Sequence, residues 1–359
     1  MFNSQTYILH RSGQRGNPRG RGVRHSPGPA ACDGMPRSPG LAAPSRCNPD
    51  RLCFAFATGG YELSEVQRFG AVTVHIGNKA GKYPDGNQVI VTGRELRVAF
   101  DTPLSSNHIG KDFDEVQLVI LGHAHEDHMA GLHRIPKASV QVHAADVDAV
   151  RSWPGLCRHY GYPPEVLQEM RVMIERDFHY LPRPDATAYA HDQCWDLGGG
   201  IRIRAHHLPG HTSGHCALIV ESEGVAFIGD IDLTGFGPYY GDATSSLKDF
   251  RRSLAEVADL DARIWITSHH RAVISDRSKF LADLAGFAAK IDERSEKLLG
   301  YLRDGPQSLE ELARRRLLYP PGFSLPYVES AERNSIRMHL DEFLGEGIVL
   351  SDGERFALA

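Results

Sequence analysis

The sequence lacks any apolar run close to the ~20 residues that a membrane-spanning helix needs, so we predict no membrane span. It also lacks the short apolar core of a secretory signal peptide. Its six cysteines are scattered, and no two of them form a Cys-x-x-Cys pair. This pattern argues against a disulfide framework and favours a reducing compartment, so we predict a cytoplasmic protein without a membrane partner.

The first 50 residues lack Lys and Glu and are rich in Gly, Pro and Ser, with seven Arg and two Asp. Such a composition cannot bury enough apolar surface to fold, so we predict a disordered tail over residues 1–50. An organelle-targeting peptide and an RNA-binding arm are the functional alternatives, although Gly and Pro would break the helix of a targeting peptide. We favour an over-extended translation start, with folding from about Arg51 onward.

The remainder of the chain is acidic. The whole chain has a formal net charge of −5 and the tail carries about +5, so the remainder carries about −10. An acidic body does not attract nucleic acid through its bulk charge, and we predict no DNA partner. With 359 residues and 41% hydrophobic content, the chain has ample apolar material for a core.

The most informative stretch follows the apolar run 116–122, which predicts a buried strand that ends at Gly122. A single histidine there would be an ordinary polar residue, but four potential ligands occur within six residues. Imidazole and carboxylate together suit Zn²⁺, and iron or manganese as alternatives. The sequence therefore predicts a metal site built from His123, His125, Asp127 and His128.

This spacing resembles the first metal motif of the metallo-β-lactamase fold superfamily. Three later segments resemble the other metal motifs of that superfamily, in the expected order: 209–215 around His211, 227–230 ending in Asp230, and 264–269 ending in His269. Upstream, 98–102 resembles the strand that closes on a structural aspartate, Asp101. The resemblance covers residues 70–285 and implies an α+β fold, a four-layer αββα sandwich.

The resemblance also implies a centre of two divalent metal ions, expected to be Zn²⁺. One ion is assigned to His123, His125 and His211, and the other to Asp127, His128 and His269, with Asp230 bridging both. Two such ions about 3.5–4 Å apart share a hydroxide that attacks an electrophilic carbonyl or phosphorus. Asp127 is the predicted catalytic residue, since it can orient this nucleophile and later pass on a proton.

Several neighbouring residues have open roles. The terminal motif of the superfamily usually reads Gly-His-Gly, whereas this chain has Ser268, His269 and His270. Alignment of the strand favours His269 as the ligand and leaves His270 as an alternative. Asp101 and Thr212 are candidates to hold the second nitrogen of a metal-binding imidazole. His206, His207 and His215 are expected either to support a metal ligand from behind or to have a structural role.

The position of Asp230 limits the branch of the superfamily. A bridging aspartate after Phe-Ile-Gly resembles the glyoxalase II-like and ribonuclease branches, and true β-lactamases lack it, so we do not expect antibiotic hydrolysis. Asp230 and His269 are 39 positions apart, too few for the extra domain that RNA-processing relatives insert. His211 and Asp230 are 19 apart, which leaves no room for a tRNA-binding arm. The glutathione-binding C-terminal residues of glyoxalase II have no match.

These features predict a metal-dependent hydrolase of a small-molecule ester, thioester or lactone. The first alternative is a phosphodiesterase or endoribonuclease that acts on RNA, which a positive ring from Lys79, Lys82 and Arg271 would favour. A non-catalytic binding protein is the second, and the complete ligand set argues against it. The third is an iron-dependent sulfur oxygenase. The sequence does not predict the oligomeric state.

We predict a catalytic domain over residues 51–285, with a helical insertion at 153–190. The insertion contains an apolar helical pattern over 165–178. Met170 and Met173 on this pattern are suited to an acyl-binding pocket, although packing against the sandwich is the favoured interpretation.

A second domain is predicted over residues 286–359. Three helical patterns and a β-hairpin suggest a winged-helix-like fold. The segment 334–359 resembles a tail found in one branch of metallo-β-lactamase-like hydrolases, which includes mitochondrial single-strand endoribonucleases. Its last helix mixes Arg333 and Arg337 with four acidic residues, among them Glu332, so it is unsuited to track phosphates. A structural or dimer role is the favoured interpretation.

Overall fold

The structure is a computed structural model that describes residue 63 and residues 65–359. The predicted disordered tail over residues 1–50 therefore lies outside the described residues. Within the described part of the chain, no helix combines the length and apolar character needed to cross a membrane. The predicted cytoplasmic location stays a prediction.

The first sheet has seven strands that lie side by side in chain order. β1 to β4 form an antiparallel meander, and β4 to β7 run parallel, as expected where helical crossovers connect them. The strands are β1 (Glu65–Phe69), β2 (Val72–Ile76), β3 (Gln88–Thr92), β4 (Arg97–Phe100), β5 (Leu118–Leu121), β6 (Ser139–His143) and β7 (Thr187–Tyr189).

The second sheet has six strands in the order β13-β12-β11-β10-β9-β8. Its one parallel pair joins β11 to β12, and this pair brings the end of the Phe-Ile-Gly-Asp motif beside the end of the terminal histidine motif. The strands are β8 (Cys194–Asp196), β9 (Arg202–His207), β10 (Cys216–Val220), β11 (Val225–Phe227), β12 (Ile264–Ile266) and β13 (Val273–Ile274).

Helices cover the outer faces of both sheets. α5 begins at a proline, which suits the first turn of a helix, and the side chains of Ser246 and Asp276 cap α6 and α7. The helical segments are α1 (Asn78–Gly81), α2 (Lys111–Asp114), α3 (Val147–Arg151), α4 (Trp153–Tyr160), α5 (Pro164–Asp177), α6 (Leu247–Ala258), α7 (Arg277–Leu302), α8 (Leu309–Arg314) and α9 (Val328–Gly345).

Three apolar clusters separate the layers. The central cluster joins side chains of both sheets, such as Phe100 and Phe227, whose ring centroids lie 5.8 Å apart. One outer cluster packs helices α3 to α5 on the first sheet, and the other packs α6 and α7 on the second sheet. The predicted α+β fold, a four-layer αββα sandwich, is therefore confirmed.

The predicted helical insertion at 153–190 needs a correction at its C-terminal end. It contains α4 and α5, but Thr187–Tyr189 forms β7 and pairs with β6 as part of the first sheet. β7 has the sequence Thr-Ala-Tyr and is exposed at its first two positions, so it lacks the apolar run that marks the equally short β11 and β12. Whether α4 and α5 are an insertion stays a prediction.

The C-terminal part combines the end of α7 with α8, α9 and a third sheet. This sheet has the order β14-β16-β15, with strands β14 (Gln307–Ser308), β15 (Val349–Ser351) and β16 (Arg355–Leu358). These elements share an apolar cluster of their own. The predicted boundary at residues 285 and 286 falls inside α7, and both this boundary and the winged-helix assignment stay predictions.

Candidate metal centre

The first motif occupies the loop that leaves the carboxyl end of β5. Asp101 lies at the end of the neighbouring parallel strand β4, and its carboxylate accepts a hydrogen bond from the Gly122 N–H at 2.7 Å. Its other oxygen lies 2.8 Å from Nδ1 of His128. Asp101 therefore fixes both the start of the loop and one imidazole, which is the structural role that the sequence predicted for it.

Three of the predicted ligands point their nitrogens at one another. Nε2 of His123 lies 3.1 Å from Nδ1 of His125, and Nε2 of His211 lies 3.2 and 3.0 Å from these two atoms. Oδ2 of Asp230 lies 3.4 Å from the His211 nitrogen and 3.8 Å from the His123 nitrogen. We call these four side chains the first donor group.

The remaining predicted ligands form a second donor group, Asp127, His128 and His269. Nε2 of His269 lies 3.0 Å from Oδ2 of Asp127, and the other oxygen of Asp230 lies 3.1 Å from Nε2 of His128. Each of the two oxygens of Asp230 thus faces one group. The structure brings all seven predicted side chains together.

This arrangement fits divalent ions. Two ligands about 2.0–2.1 Å from one ion at a tetrahedral angle lie about 3.3 Å apart, close to the separations in both groups. In addition, Nε2 of His128, Nε2 of His269 and Oδ1 of Asp230 are buried and form no hydrogen bond of good geometry among the described residues, although His128 lies 3.1 Å from Asp230 and His269 lies 3.0 Å from Asp127. Unpaired buried polar atoms are costly, and a shared cation would satisfy all three.

The structure places His269, and not His270, in the second donor group. Nδ1 of His269 lies 2.6 Å from the carbonyl oxygen of Asp85, which leaves Nε2 facing the centre. His270 has a left-handed backbone (φ 62°) and is half-buried beside the cavity described below. The alignment of the strand in the sequence therefore favoured the residue that converges with the others.

Sequence reasoning missed two partners of the first donor group. Oδ2 of Asp242 lies 2.7 Å from Nε2 of His125, and the carbonyl oxygen of Tyr239 lies 2.9 Å from Nδ1 of His211. Such partners orient a metal-binding imidazole. Asp242 lies on an irregular segment that matches no motif, so its proximity to His125 is a result of the fold alone.

Thr212 does not hold an imidazole, which corrects its predicted role. Its hydroxyl donates to the Asp146 carboxylate at 2.7 Å, and the same oxygen accepts from the Ala124 N–H at 3.2 Å. Asp146 thereby ties the first motif to the second. His215 has the predicted structural role, since its Nε2 accepts a hydrogen bond from the Asp230 N–H at 3.1 Å.

The outer histidines stay apart from the centre. His206 and His207 lie on β9, and His207 stacks on His143 with ring centroids 4.0 Å apart. Neither belongs to a donor group, as the sequence predicted.

The seven ligand-type side chains differ in protonation state. Burial lowers the pKa of three histidines, but neighbouring carboxylates outweigh it and raise the pKa of His125 to about 9, that of His269 to about 10 and that of His128 well above its usual value. Metal binding must therefore displace a proton from each of these imidazoles.

Burial and the neighbouring His125 lower the pKa of His211 to about 4, so its imidazole is neutral at pH 7. Burial raises the pKa of Asp230, but the positive potential of His128 and His269 outweighs this and holds the pKa well below its usual value. The pKa of Asp127 is lowered in the same way, with His128 as the main opposing charge. Metal ligands must be deprotonated, and His211, Asp230 and Asp127 already are.

The donor groups border a cavity of about 480 Å³. Aromatic rings dominate its lining, including Tyr83, Tyr160, Tyr162, Phe236 and Tyr239, and further rings come from the segment 319–327. Met170 lines the cavity and also packs in the core, and Met173 packs against the same core, as favoured from the sequence; an acyl-binding role for them stays a prediction. Lys82 is the one Lys or Arg among the described lining residues.

The family model for the metallo-beta-lactamase superfamily matches residues 108–269, which contain all seven donor side chains. A beta-lactamase domain protein from Burkholderia ambifaria has a similar structure, with a TM-score of 0.61 and 17% identity over 85% of this chain and 97% of that chain. This similarity concerns the fold.

Two fungal proteins are similar in sequence, and both bear the name atrochrysone carboxyl ACP thioesterase. The one from Pseudocercospora fijiensis is 25% identical over 186 residues, which are 52% of this chain and 53% of that protein. The one from Passalora fulva is 25% identical over 267 residues, which are 69% of this chain and 68% of that protein. The chain therefore spans about half the length of the first relative and about two thirds of the second.

Proposed function

We propose that this chain, which belongs to the metallo-beta-lactamase superfamily, is a dinuclear metal-dependent hydrolase that cleaves acyl thioesters. The observation that carries the proposal is the convergence of seven ligand-type side chains, six of them buried and Asp230 partly buried, on the border of a largely apolar cavity. The names of the two fungal relatives support a thioester over the ester and lactone that the sequence left open.

The two donor groups have complementary roles in this proposal. The first would hold one ion and the second would hold the other, with a carboxylate oxygen of Asp230 facing each group, and Zn²⁺ suits this set of imidazole and carboxylate ligands. The ions supply Lewis-acid chemistry and a hydroxide nucleophile at neutral pH. Three of the imidazoles have a hydrogen-bond partner at the ring nitrogen that faces away from the centre. These partners are Asp242 for His125, the carbonyl of Tyr239 for His211 and the carbonyl of Asp85 for His269, and they leave the other ring nitrogen free for metal.

Asp127 is the proposed catalytic residue. It is ionised at neutral pH because its pKa is lowered, and it lines the cavity where an acyl group would lie. One carboxylate oxygen faces Nε2 of His269 at 3.0 Å, while the other lies 3.7 Å from Nε2 of His128. This carboxylate can accept the proton of the nucleophile and return it to the departing thiolate.

The test is hydrolysis of a simple acyl thioester by the purified zinc-loaded protein. We expect turnover in the wild type, loss of turnover by about a thousandfold or more in Asp127→Ala, and wild-type turnover in the exposed control variant Asp261→Ala. Absence of turnover at full metal occupancy, or equal turnover in Asp127→Ala, would contradict the proposal.

The phosphodiesterase alternative has less support. It needs a ring of positive charge, and of its three candidate residues only Lys82 is among the described residues that line the cavity. Arg271 instead donates to the carbonyl oxygen of Leu233 at 3.1 Å and lies 3.8 Å from Asp283. The charge around the cavity therefore favours a neutral acyl group over a polyanion.

A further inference from the structure

Part of the cavity wall comes from the C-terminal region, beyond the residues that match the family model. Tyr319, Pro320, Phe323 and Tyr327 line the same cavity as the donor groups, and we call them the aromatic wall. They lie on the connection between α8 and α9. The rings of Tyr319 and Phe323 stack with centroids 5.2 Å apart and an interplanar angle of 4°.

The aromatic wall presents apolar ring surface to the cavity and few free hydrogen-bonding groups. The hydroxyl of Tyr327 interacts electrostatically with those of Tyr83 and Tyr319, and the Tyr83 hydroxyl donates to the Glu126 carboxylate at 3.4 Å. Elsewhere in the cavity, the Tyr160 hydroxyl donates to the Glu126 carboxylate and the Tyr162 hydroxyl to the Asp242 carboxylate. Since these polar groups already have partners, the surface left for a ligand is apolar.

The aromatic wall is fixed by one buried carboxylate. Glu332 on α9 is fully buried and accepts hydrogen bonds from the N–H groups of Leu317 at 2.6 Å, Leu318 at 3.0 Å and Tyr319 at 2.8 Å. A carboxylate that accepts three backbone N–H groups holds that backbone strongly, because each bond is charge-assisted. Glu332 therefore fixes the backbone of residues 317–319, at the start of the aromatic wall.

The same helix, α9, also holds the segment 239–242, which lies behind the first donor group. The Asn334 side chain donates to the carbonyl oxygen of Gly241 at 2.8 Å, and the Ser335 hydroxyl donates to that of Tyr240 at 3.1 Å. Tyr240 and Gly241 lie between Tyr239 and Asp242 in the chain. Tyr239 orients His211, and Asp242 orients His125. Helix α9 therefore fixes both the aromatic wall and the segment that orients two histidines of the first donor group.

We propose that the aromatic wall binds the acyl part of the substrate, and that Glu332 is the positioning residue that holds it there. The site then prefers thioesters with bulky apolar acyl groups over acetyl thioesters. This inference rests on the proposed thioesterase function for its kinetic test, but not for its binding test.

The kinetic test compares a 2-naphthoyl thioester with an acetyl thioester of the same thiol. Truncation in Phe323→Ala removes ring contact from a large acyl group only, so kcat/KM should fall about tenfold for the naphthoyl substrate and by less than about twofold for the acetyl one. Equal effects on both substrates, or no effect on either, would overturn the role of the aromatic wall.

The anchor is tested with Glu332→Gln, which keeps the side-chain volume but turns an amide N–H₂ toward backbone donors. The matched control is Glu329→Gln, an exposed position on the same helix. We expect Glu332→Gln to raise KM for the naphthoyl substrate about tenfold with a smaller change in kcat, and the control to match the wild type. A uniform loss of kcat on both substrates would mean a merely structural role and would overturn the positioning role.

A binding measurement separates this inference from the proposed function. Calorimetric titration with the uncleavable thioether analogue of the naphthoyl substrate should show binding to the wild type that is about tenfold weaker in Phe323→Ala and Glu332→Gln. This result supports the aromatic wall even if no thioester is hydrolysed. Equal binding by wild type and both variants, or no binding by the wild type, would overturn the inference even if thioesters are hydrolysed.

Discussion

Replacement of Asp242 by Asn should weaken metal binding at the first donor group. Oδ2 of Asp242 lies 2.7 Å from Nε2 of His125, whose Nδ1 faces His123 and His211. A metal-facing Nδ1 requires that the proton reside on Nε2 and be donated to the carboxylate. Burial lowers the pKa of His125, but the hydrogen bond and charge of Asp242 outweigh burial and raise it to about 9.

The magnitude follows from what Asn changes. Its amide oxygen can still accept from the Tyr162 hydroxyl, so its N–H₂ then faces Nε2 of His125. This favours the tautomer with the proton on Nδ1, where the metal should bind. Loss of such a partner costs about 10–100-fold in metal affinity, and the short distance and full burial of Asp242 favour the upper part of this range, about 2–2.7 kcal/mol.

The assay is competition for Zn²⁺ with a chromophoric chelator, alongside Asp261→Asn as an exposed control. We expect two affinities in the wild type, with only one of them weakened in Asp242→Asn. A near-native circular dichroism spectrum would confirm that the variant is folded. Zinc affinities of Asp242→Asn within about threefold of the wild type would refute the reasoning, because the hydrogen bond would then not hold the tautomer.

Two further predictions concern histidines. His269→Ala should lose one metal equivalent by elemental analysis, whereas His270→Ala should keep both; the reverse result would contradict the assignment of the second donor group. Burial, with Arg294 and Arg251 nearby, lowers the pKa of His339 to about 3, so below about pH 6.5 the unfolded chain takes up a proton that the folded chain does not. Urea unfolding should therefore show the wild type losing about 2 kcal/mol of stability relative to His339→Gln between pH 7 and pH 5, and parallel curves would contradict this.

The donor groups could be predicted from the sequence because their spacing is local. His123 to His128 occupy one loop, and each later ligand ends or follows a strand whose apolar pattern is readable. The αββα order was implied by the resemblance of these motifs to the metallo-β-lactamase fold superfamily. Boundaries shifted by a few residues, and the sequence did not mark β7, which lacks an apolar run, or β13, which has two residues.

The partners behind the ligands could not be predicted in the same way. Asp242 and Asp85 are single residues on irregular segments, and only the folded chain brings them to His125 and His269. Glu332 had the pattern of a solvent-exposed charge in a mixed helix, yet it is buried because three backbone N–H groups converge on it. Long-range convergence of this kind leaves no periodic signal in a sequence.

The most direct test of the account is a Zn²⁺ titration of metal-free protein, with thioester turnover and bound zinc measured in the same samples. The account predicts no turnover without metal, turnover that rises with occupancy, and a plateau at two ions per chain. Full turnover in the metal-free protein, or a fully loaded protein that hydrolyses no thioester, would contradict it.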